Sequence, residues 1–186
     1  MKFQIKNSVA FLKTGKTILY PTDTVWGIGC DATNIEAVQK VYQLKNRAES
    51  KSLIILVDSV EMLKNYVEVL PKLAIQLIEN TKKPTTIIYP NPKNLAKNTI
   101  ASDNTIAIRI PKDDFCLQLI KAFGKPIVST SANISGQPTP KTFSEISTAI
   151  LQSVDYVVAL QSDKKVVKSS TILKITETNE IEIIRE

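Results

Sequence analysis

The sequence predicts an α/β fold, because short apolar runs of strand length alternate with amphipathic stretches of helix length along the whole chain. The length of 186 residues fits one domain, at roughly 150 residues per domain. Hydrophobic residues make up 43% and charged residues 23%, which is typical of a globular protein and not of a disordered or fibrous one. We therefore expect residues 1–186 to fold as a single domain with a substantial core.

Turn residues define the first elements. A helix is predicted over residues 7–15, because Gly15 supplies a stop signal. The run at 17–20 predicts a strand that ends at Pro21, and extended structure resumes at 24–28 after a polar turn.

A capping box predicts the start of the next helix. Thr33 is expected to reach forward and Glu36 to reach back, and apolar residues then recur at helical spacing to about Leu44. Apolar runs and periodicity predict the following segments: a buried strand at 53–57, helices at 60–66 and 72–79, and a strand at 85–89.

The run from Thr105 to Ile110 alternates strictly between two kinds of side chain. It predicts a strand whose three isoleucines share one face, with Thr105, Ala107 and Arg109 on the other. An arginine on that face indicates either that the face lines a polar cleft or that Arg109 pairs with an internal acid.

A second capping box, formed by Thr142 and Glu145, predicts another helix. The polar segment 91–104 is expected to be a mobile linker. The remaining predicted elements are a helix at 114–123 and strands at 126–129, 154–160, 171–175 and 181–184.

Composition excludes several classes of function. Histidine is absent, which excludes His-based triads and most zinc sites. Cys30 and Cys116 are too few for a disulfide framework, and we expect them in the core because no histidine is present to activate them. No stretch approaches 18 consecutive apolar residues and the N-terminus lacks a signal-peptide pattern, so a cytoplasmic location without membrane contact is expected. The net charge of +6 fits anionic partners such as nucleotides or RNA.

A basic pair follows the second predicted helix. Lys45 and Arg47, with Lys51 close by, form a two-pronged anion clamp suited to polyphosphate if this segment is extended. A solvated charged turn is the alternative interpretation, and spacing alone favours it.

Small residues near position 30 match a loose dinucleotide-binding fingerprint, Gly27-x-Gly29-x-x-Ala32. However, the glycines end an extended run and the helix has its own cap. Close backbone packing is therefore the preferred interpretation.

Polar turns follow two predicted strands. Residues 129–136 place four hydroxyls and an amide after a buried strand, and such a segment forms either an anion-binding nest or a Ser/Asn-rich turn. Thr24 lies in another polar turn, where its hydroxyl binds either a substrate or its own backbone.

Five segments carry a resemblance to a known family. They are YPTDTVWGIGCDA (20–32), LKNRAESKSLIIL (44–56), TIAIRIP (105–111), KPIVSTSANISGQP (125–138) and, more weakly, SSTIL (169–173). Together they resemble the YrdC family of threonylcarbamoyl-AMP synthases, in its short bacterial TsaC-type form. The resemblance implies a strongly twisted mixed α/β sheet with flanking helices around a basic concave cleft.

The resemblance also implies an activity. A nucleotidyltransferase of this family makes threonylcarbamoyl-AMP and pyrophosphate from L-threonine, bicarbonate and ATP, with Mg²⁺ held on the ATP substrate rather than at a metal site of the protein. Separate transferase proteins then pass the threonylcarbamoyl group to tRNA. An RNA-binding module that uses the same basic cleft without ATP turnover is the alternative, and weak binding of tRNA is compatible with either function.

Positions that match the family motifs carry the implied roles. The implied catalytic residues, which also contact ATP, are Lys45, Arg47, Ser131 and Asn133. Further implied ATP contacts are Lys51 and Thr86. The implied threonine contacts are Thr24, Arg109 and Ser170. The chain departs from the family pattern at Trp26, where Tyr or Phe is usual, and at Lys83, where Gly is usual.

Overall fold

The computed structural model describes residues 1–48, 53–160, 169–176 and 180–186. The helices are α1 (Lys2–Lys13), α2 (Ile35–Leu44), α3 (Val60–Lys64), α4 (Lys72–Asn80), α5 (Asp114–Phe123) and α6 (Thr148–Ser153), with 3₁₀ turns at Lys97–Thr99 and Phe143–Glu145. The strands are β1 (Ile18–Tyr20), β2 (Gly27–Gly29), β3 (Ile54–Leu56), β4 (Thr85–Pro90), β5 (Thr105–Arg109), β6 (Ile127–Ser131), β7 (Tyr156–Val157), β8 (Thr171–Ile175) and β9 (Ile181–Arg185).

Within these described ranges the strands pair into one mixed sheet in the order β7-β1-β2-β6-β3-β5-β4-β8-β9. Three neighbouring pairs are parallel, namely β1 with β7, β3 with β5, and β4 with β8. The other pairs are antiparallel. The predicted mixed α/β sheet with flanking helices is therefore confirmed.

Alternation along the central strands divides the core into two layers. On β3, Ile55 belongs to a large cluster that includes the buried face of α2, whereas Leu56 belongs to a smaller cluster beside α1 and α5. On β6, Val128 and Ile127 divide in the same way. The helices α1 and α5 therefore cover one part of the second sheet face, and that face continues beyond them.

Several element bounds agree with the sequence, and the differences have physical causes. The helix α5 and the strand β8 have the predicted bounds. The helix α1 begins at Lys2 instead of residue 7, because Ile5 and Leu12 are buried on one side of it. The strand β6 extends to Ser131 instead of residue 129, because β2 pairs with its last two residues.

The predicted capping box at Thr33 is wrong. The N-cap of α2 is Asn34, whose Oδ1 accepts hydrogen bonds of 3.0 Å from the backbone N–H groups of Glu36 and Ala37. Thr33 instead donates its hydroxyl to Asp31 Oδ1, at 2.6 Å. The Thr33 hydroxyl is therefore bound to the Asp31 carboxylate and not, as the motif predicted, to the helix backbone.

The second predicted capping box is also wrong. Thr142 makes no side-chain cap and precedes only a 3₁₀ turn. The helix α6 begins later, with Ser147 as its N-cap. Glu145 accepts a hydrogen bond of 2.8 Å from the backbone N–H of Lys141.

The segment 91–104 packs against the domain, contrary to the expectation of a mobile linker. The backbone N–H of Asn91 donates to the carbonyl of Asn104 at 3.0 Å, which closes the segment into a loop. The backbone N–H of Ala96 donates to the carbonyl of Ala32 at 3.0 Å, and Thr99 is buried. Polar composition alone does not reveal these contacts.

The glycines of the loose dinucleotide fingerprint serve backbone packing. A Cβ at Gly29 would lie 2.5 Å from the carbonyl oxygen of Val128 and 2.7 Å from Cε1 of Tyr20. The strand that carries Gly29 is antiparallel to both neighbours, unlike the first strand of a βαβ unit. Both cysteines are buried, as expected. In the described part of the chain, none of the helices has the length and apolar character needed to cross a membrane.

Candidate active site

A cavity of about 340 Å³ opens on the sheet face that continues beyond α1 and α5. Its floor is a row of side chains in register on four neighbouring strands: Ser129, Ile54, Ala107 and Ile88. Arg109 follows Ala107 by two positions on β5 and so projects from the same face. The predicted alternation of β5 is confirmed, because Ile106 and Ile108 lie in the core instead.

All three arginines of the chain line this one cavity: Arg47, Arg109 and Arg185. The rest of the lining is rich in hydroxyl groups, from Thr24, Ser129, Thr130, Ser131, Thr139, Ser169 and Ser170. Among the described residues that line it, none carries a carboxylate. Arginine presents a rigid fork of donors that matches carboxylate and phosphate oxygens, so the cavity is suited to an anionic ligand.

Arg109 is buried, and both interpretations of it from the sequence are confirmed. It lines a polar cavity, and it also pairs with an internal acid, Asp23. Its Nη1 donates to Asp23 Oδ1, and its Nη2 donates to Thr24 Oγ1 at 3.3 Å. Its Nε is buried and has no hydrogen-bond partner among the described residues. Each terminal nitrogen carries two N–H groups, so the contacts with Asp23 and Thr24 use only part of the donor capacity of Arg109.

Thr24 is held in place by its own turn. Its hydroxyl lies 3.0 Å from that of Thr22, and its backbone N–H donates to Thr22 Oγ1 at 3.0 Å. The Thr22 hydroxyl also donates to the carbonyl of Val25, at 2.8 Å. The turn thus keeps the Thr24 hydroxyl at the cavity beside Arg109.

Ser170 also lines the cavity and contacts two residues by hydrogen bonds. Thr86 is a predicted site residue, and Arg185 is not. The Ser170 hydroxyl is 2.8 Å from that of Thr86, which is fully buried and does not line the cavity. Arg185 donates from Nε and Nη2 to the Ser170 carbonyl, at 3.2 and 2.9 Å. Partial burial of its guanidinium, and then the nearby charge of Arg109, lower the pKa of Arg185.

The basic pair Lys45 and Arg47 does not form the extended clamp predicted from its spacing. Lys45 keeps a helical conformation and Asn46 takes a left-handed one with φ of 48°. This turn sends the two side chains to different places, so that only Arg47 lines the cavity. The solvated-turn alternative is also wrong, because Lys45 is 1% exposed.

The loop after β6 brings its two predicted residues together. Ser131 lines the cavity and donates its hydroxyl to Asn133 Oδ1, at 2.5 Å. Asn133 does not line the cavity; its amide nitrogen donates to the carbonyl of Gln137 at 2.6 Å.

Of the predicted site residues, Lys51 lies outside the described residues.

Sequence reasoning missed several lining residues, among them Arg185 and Ser129. Arg185 follows an irregularity in the β8–β9 pairing, and neighbouring isoleucines at 183 and 184 are the one local sign of it. The sequence predicts Ser129 as the end of a strand and the start of the polar turn, without a role at a cavity, although its two-residue spacing from Ser131 on one strand places both side chains on one face.

The fold and this cavity define an α/β protein whose sheet carries a cationic, hydroxyl-rich pocket for anionic ligands. The family model described as telomere recombination, Sua5/YciO/YrdC, matches residues 10–186. The threonylcarbamoyl-AMP synthase of Pseudoalteromonas translucida is 34% identical over 158 residues, which is 83% of this chain and 84% of that protein.

The same likeness appears in solved structures. The structure of Pyrococcus abyssi Sua5 complexed with L-threonine matches with a TM-score of 0.89 and 26% identity, over 100% of this chain and 54% of that one. This chain thus spans about half the length of the archaeal protein. Escherichia coli YciO shares the fold, with a TM-score of 0.86 at 22% identity, over 100% of this chain and 90% of that one. The chain belongs to the Sua5/YciO/YrdC family, and the resemblance found in the sequence is confirmed.

Proposed function

We propose that this protein is a threonylcarbamoyl-AMP synthase, which converts L-threonine, bicarbonate and ATP into threonylcarbamoyl-AMP and pyrophosphate. The observation that carries the proposal is the placement of all three arginines around one hydroxyl-rich cavity. Relatives named for this activity, and the threonine in the archaeal Sua5 structure, support it. The protein is accordingly an enzyme of the nucleotidyltransferase type.

We place the threonine carboxylate at Arg109, which lines the cavity. The contacts with Asp23 and Thr24 use one N–H group on each terminal nitrogen of its guanidinium. The second N–H group of each terminal nitrogen can donate a charge-assisted hydrogen bond to a carboxylate oxygen. The hydroxyls of Thr24 and Ser170 lie on the same cavity and are available to the amine and hydroxyl of threonine.

The ATP phosphates are placed at Arg47, Arg185 and Ser131. Carboxylate, carbamate and triphosphate repel one another, by roughly 4 kcal/mol for two unit charges at 4 Å in an effective dielectric of 20. The guanidinium groups offset this repulsion and stabilise the charge that develops on pyrophosphate. The ATP contacts assigned from the sequence to Lys51, Thr86 and Asn133 stay predictions.

Two steps complete the reaction. The threonine amine attacks the carbon of bicarbonate, and loss of water leaves a carbamate. A carbamate oxygen then attacks the α-phosphorus of ATP, the bond to the bridging oxygen breaks, and pyrophosphate leaves with the electron pair. Neither step needs a protein nucleophile, and alignment of the reactants can lower the barrier by roughly 7–11 kcal/mol.

The remaining substrates and partners follow from this reaction. Mg²⁺ enters as part of the ATP substrate, held by phosphate oxygens and water. The product passes to tRNA threonylcarbamoyl transferase proteins. The RNA-binding alternative is not favoured, because the relatives are named as enzymes. Weak RNA binding and a cytoplasmic location stay predictions.

A pyrophosphate-release assay tests the proposal. The wild-type protein is expected to release pyrophosphate from ATP only when L-threonine and bicarbonate are both present. Arg47→Ala is expected to slow release about 10–100-fold, since a hydrogen bond to a charged group contributes about 1.5–3 kcal/mol. Lys64→Ala on the exposed side of α3 is the control and should match the wild type. No release by the wild type with all three substrates would contradict the proposal.

A further inference from the structure

The ammonium group of Lys45 lies inside the protein, beneath the loop that follows β6. Lys45 is 1% exposed and is not among the residues that line the cavity. Its Nζ donates to the carbonyl oxygens of Ser131 and Asn133, the second at 2.6 Å. A longer contact of 3.5 Å joins Nζ to the side-chain oxygen of Asn133.

These contacts direct the ammonium group at one loop. Its two short hydrogen bonds go to backbone carbonyl oxygens, and the longer contact goes to the Asn133 side chain. Carbonyl oxygens that converge on one point repel one another, and a cation between them removes the repulsion. Lys45 therefore bonds to the loop backbone, and its burial beneath the loop separates the ammonium from the cavity.

The main chain of Lys45 holds the same loop a second time. The backbone N–H of Ser135 donates to the Lys45 carbonyl at 2.8 Å. The backbone N–H of Ala132 donates to the Trp26 carbonyl at 2.9 Å, which fixes the loop to the residue just before β2. The outcome is one defined position for Ser131, which lines the cavity.

We propose that Lys45 is a positioning residue, which holds the 131–135 loop so that Ser131 faces the substrates, and that it does not contact a phosphate. Arg47, two residues away, is the member of the pair that meets the ligand. The effect of Lys45 on catalysis rests on the proposed function. The effect on the loop does not, and it is present without any ligand.

Amide hydrogen exchange of the ligand-free protein tests the effect on the loop. Lys45→Met keeps the length of the side chain and removes the ammonium, and Arg47→Met is the matched control. We expect exchange at Ser135 and its loop neighbours to be at least tenfold faster in Lys45→Met and unchanged in Arg47→Met. Equal exchange in Lys45→Met and the wild type would overturn the proposal, as would equal acceleration by both variants.

Reductive methylation of the wild-type protein tests the phosphate contact and does not depend on a variant that folds. Lys45 is expected to be methylated at least tenfold more slowly than the exposed Lys64, and ATP should give no further protection. Rapid methylation of Lys45 that ATP suppresses would show a nucleotide contact and overturn the proposal.

A double-mutant cycle tests whether Lys45 acts through Ser131 in the reaction. Lys45→Met should lower kcat about tenfold in the wild-type background, but less than threefold in a Ser131→Ala background. Arg47→Met should have the same effect in both backgrounds. Independent effects of Lys45 and Ser131 would overturn the proposal. A wild-type protein without turnover would instead contradict the proposed function, and the exchange and methylation results would still decide the role of Lys45.

Discussion

Arg109 on β5 pairs with Asp23 in the turn between β1 and β2, and both side chains are buried. Asp23 also accepts the backbone N–H of Lys112 at 2.9 Å, so one carboxylate joins this turn to the β5–α5 connection. The pair fixes the orientation of the guanidinium at the cavity wall. Nη1 donates to Asp23 and Nη2 donates to Thr24.

Asp23→Asn is expected to weaken threonine binding about tenfold or more and to leave ATP binding nearly unchanged. The amide cannot neutralise Arg109, so the guanidinium loses the ion pair that fixes its orientation at the cavity wall. Breaking a buried ion pair costs about 3–5 kcal/mol, and part of this will appear as a lower free energy of unfolding. Calorimetry with each substrate and urea unfolding measure the two effects.

Asp155→Asn provides the control for this variant. Asp155 accepts hydrogen bonds of 2.8 and 2.9 Å from the backbone and hydroxyl of Thr17, and it does not line the cavity. Its replacement should lower stability without a selective effect on threonine. Equal threonine affinities for Asp23→Asn and the wild type would refute the assigned orientation of Arg109.

Arg185→Met should weaken ATP binding about tenfold, because it removes one of the three arginines that line the cavity. The fold should tolerate the change, since Arg185 is exposed and lies on the edge strand β9. Titration with ATP measures the effect, and Glu186→Gln on the neighbouring residue is the control. If Arg185→Met bound ATP as tightly as the wild type, Arg185 would have only a structural role at Ser170.

Local patterns in the sequence predicted those elements whose conformation depends little on contacts with residues distant in the sequence. The period of two along β5 predicted that Ala107 and Arg109 share one face, and both line the cavity. The motif resemblance predicted Thr24 and Ser170 as site residues, and both line the same cavity. The positions of Lys45 and Arg185 were not predictable in this way. Lys45 depends on a left-handed Asn46 and on carbonyl groups 86 and 88 residues away. Arg185 depends on an irregular register between β8 and β9.

Capping motifs failed for a related reason. The pattern at Thr33 is satisfied by sequence, but Asp31 accepts the Thr33 hydroxyl and Asn34 caps α2. A motif states which hydrogen bonds are possible, whereas neighbouring acceptors decide which form. At the second motif the Thr142 hydroxyl lies 3.0 Å from that of Ser144, and Glu145 accepts from the backbone N–H of Lys141, so neither side chain makes its capping contact.

Gly29→Ala is expected to lower the free energy of unfolding by about 3 kcal/mol, at the upper end of the cost of overpacking. The new Cβ would lie 2.5 Å from the carbonyl oxygen of Val128, which belongs to the neighbouring strand and cannot move independently. Gly27→Ala is the matched control, because its nearest contact is a side-chain oxygen at 3.3 Å. Urea unfolding compares the two, and equal stabilities would contradict the packing interpretation.

The pH dependence of stability is expected to differ between the wild type and Lys45→Met. Burial, and then the nearby charge of Arg47, lower the pKa of Lys45 from 10.5 to about 8. Between pH 8 and pH 10.5, the amine of Lys45 is therefore protonated to a greater extent in the unfolded chain than in the folded protein. The cost of burying the ammonium is therefore fully present below pH 8, and it disappears as the pH rises toward 10.5.

The free energy of unfolding of the wild type should thus rise relative to that of Lys45→Met by about 2–3 kcal/mol between pH 7 and pH 10, at about 1.36 kcal/mol per pKa unit. Subtracting the two curves cancels the groups that both proteins share. Urea unfolding at closely spaced pH values measures the difference. Parallel curves across this range would mean that Lys45 keeps an ordinary pKa, and hence that its ammonium group is in contact with water and not enclosed by the loop carbonyls.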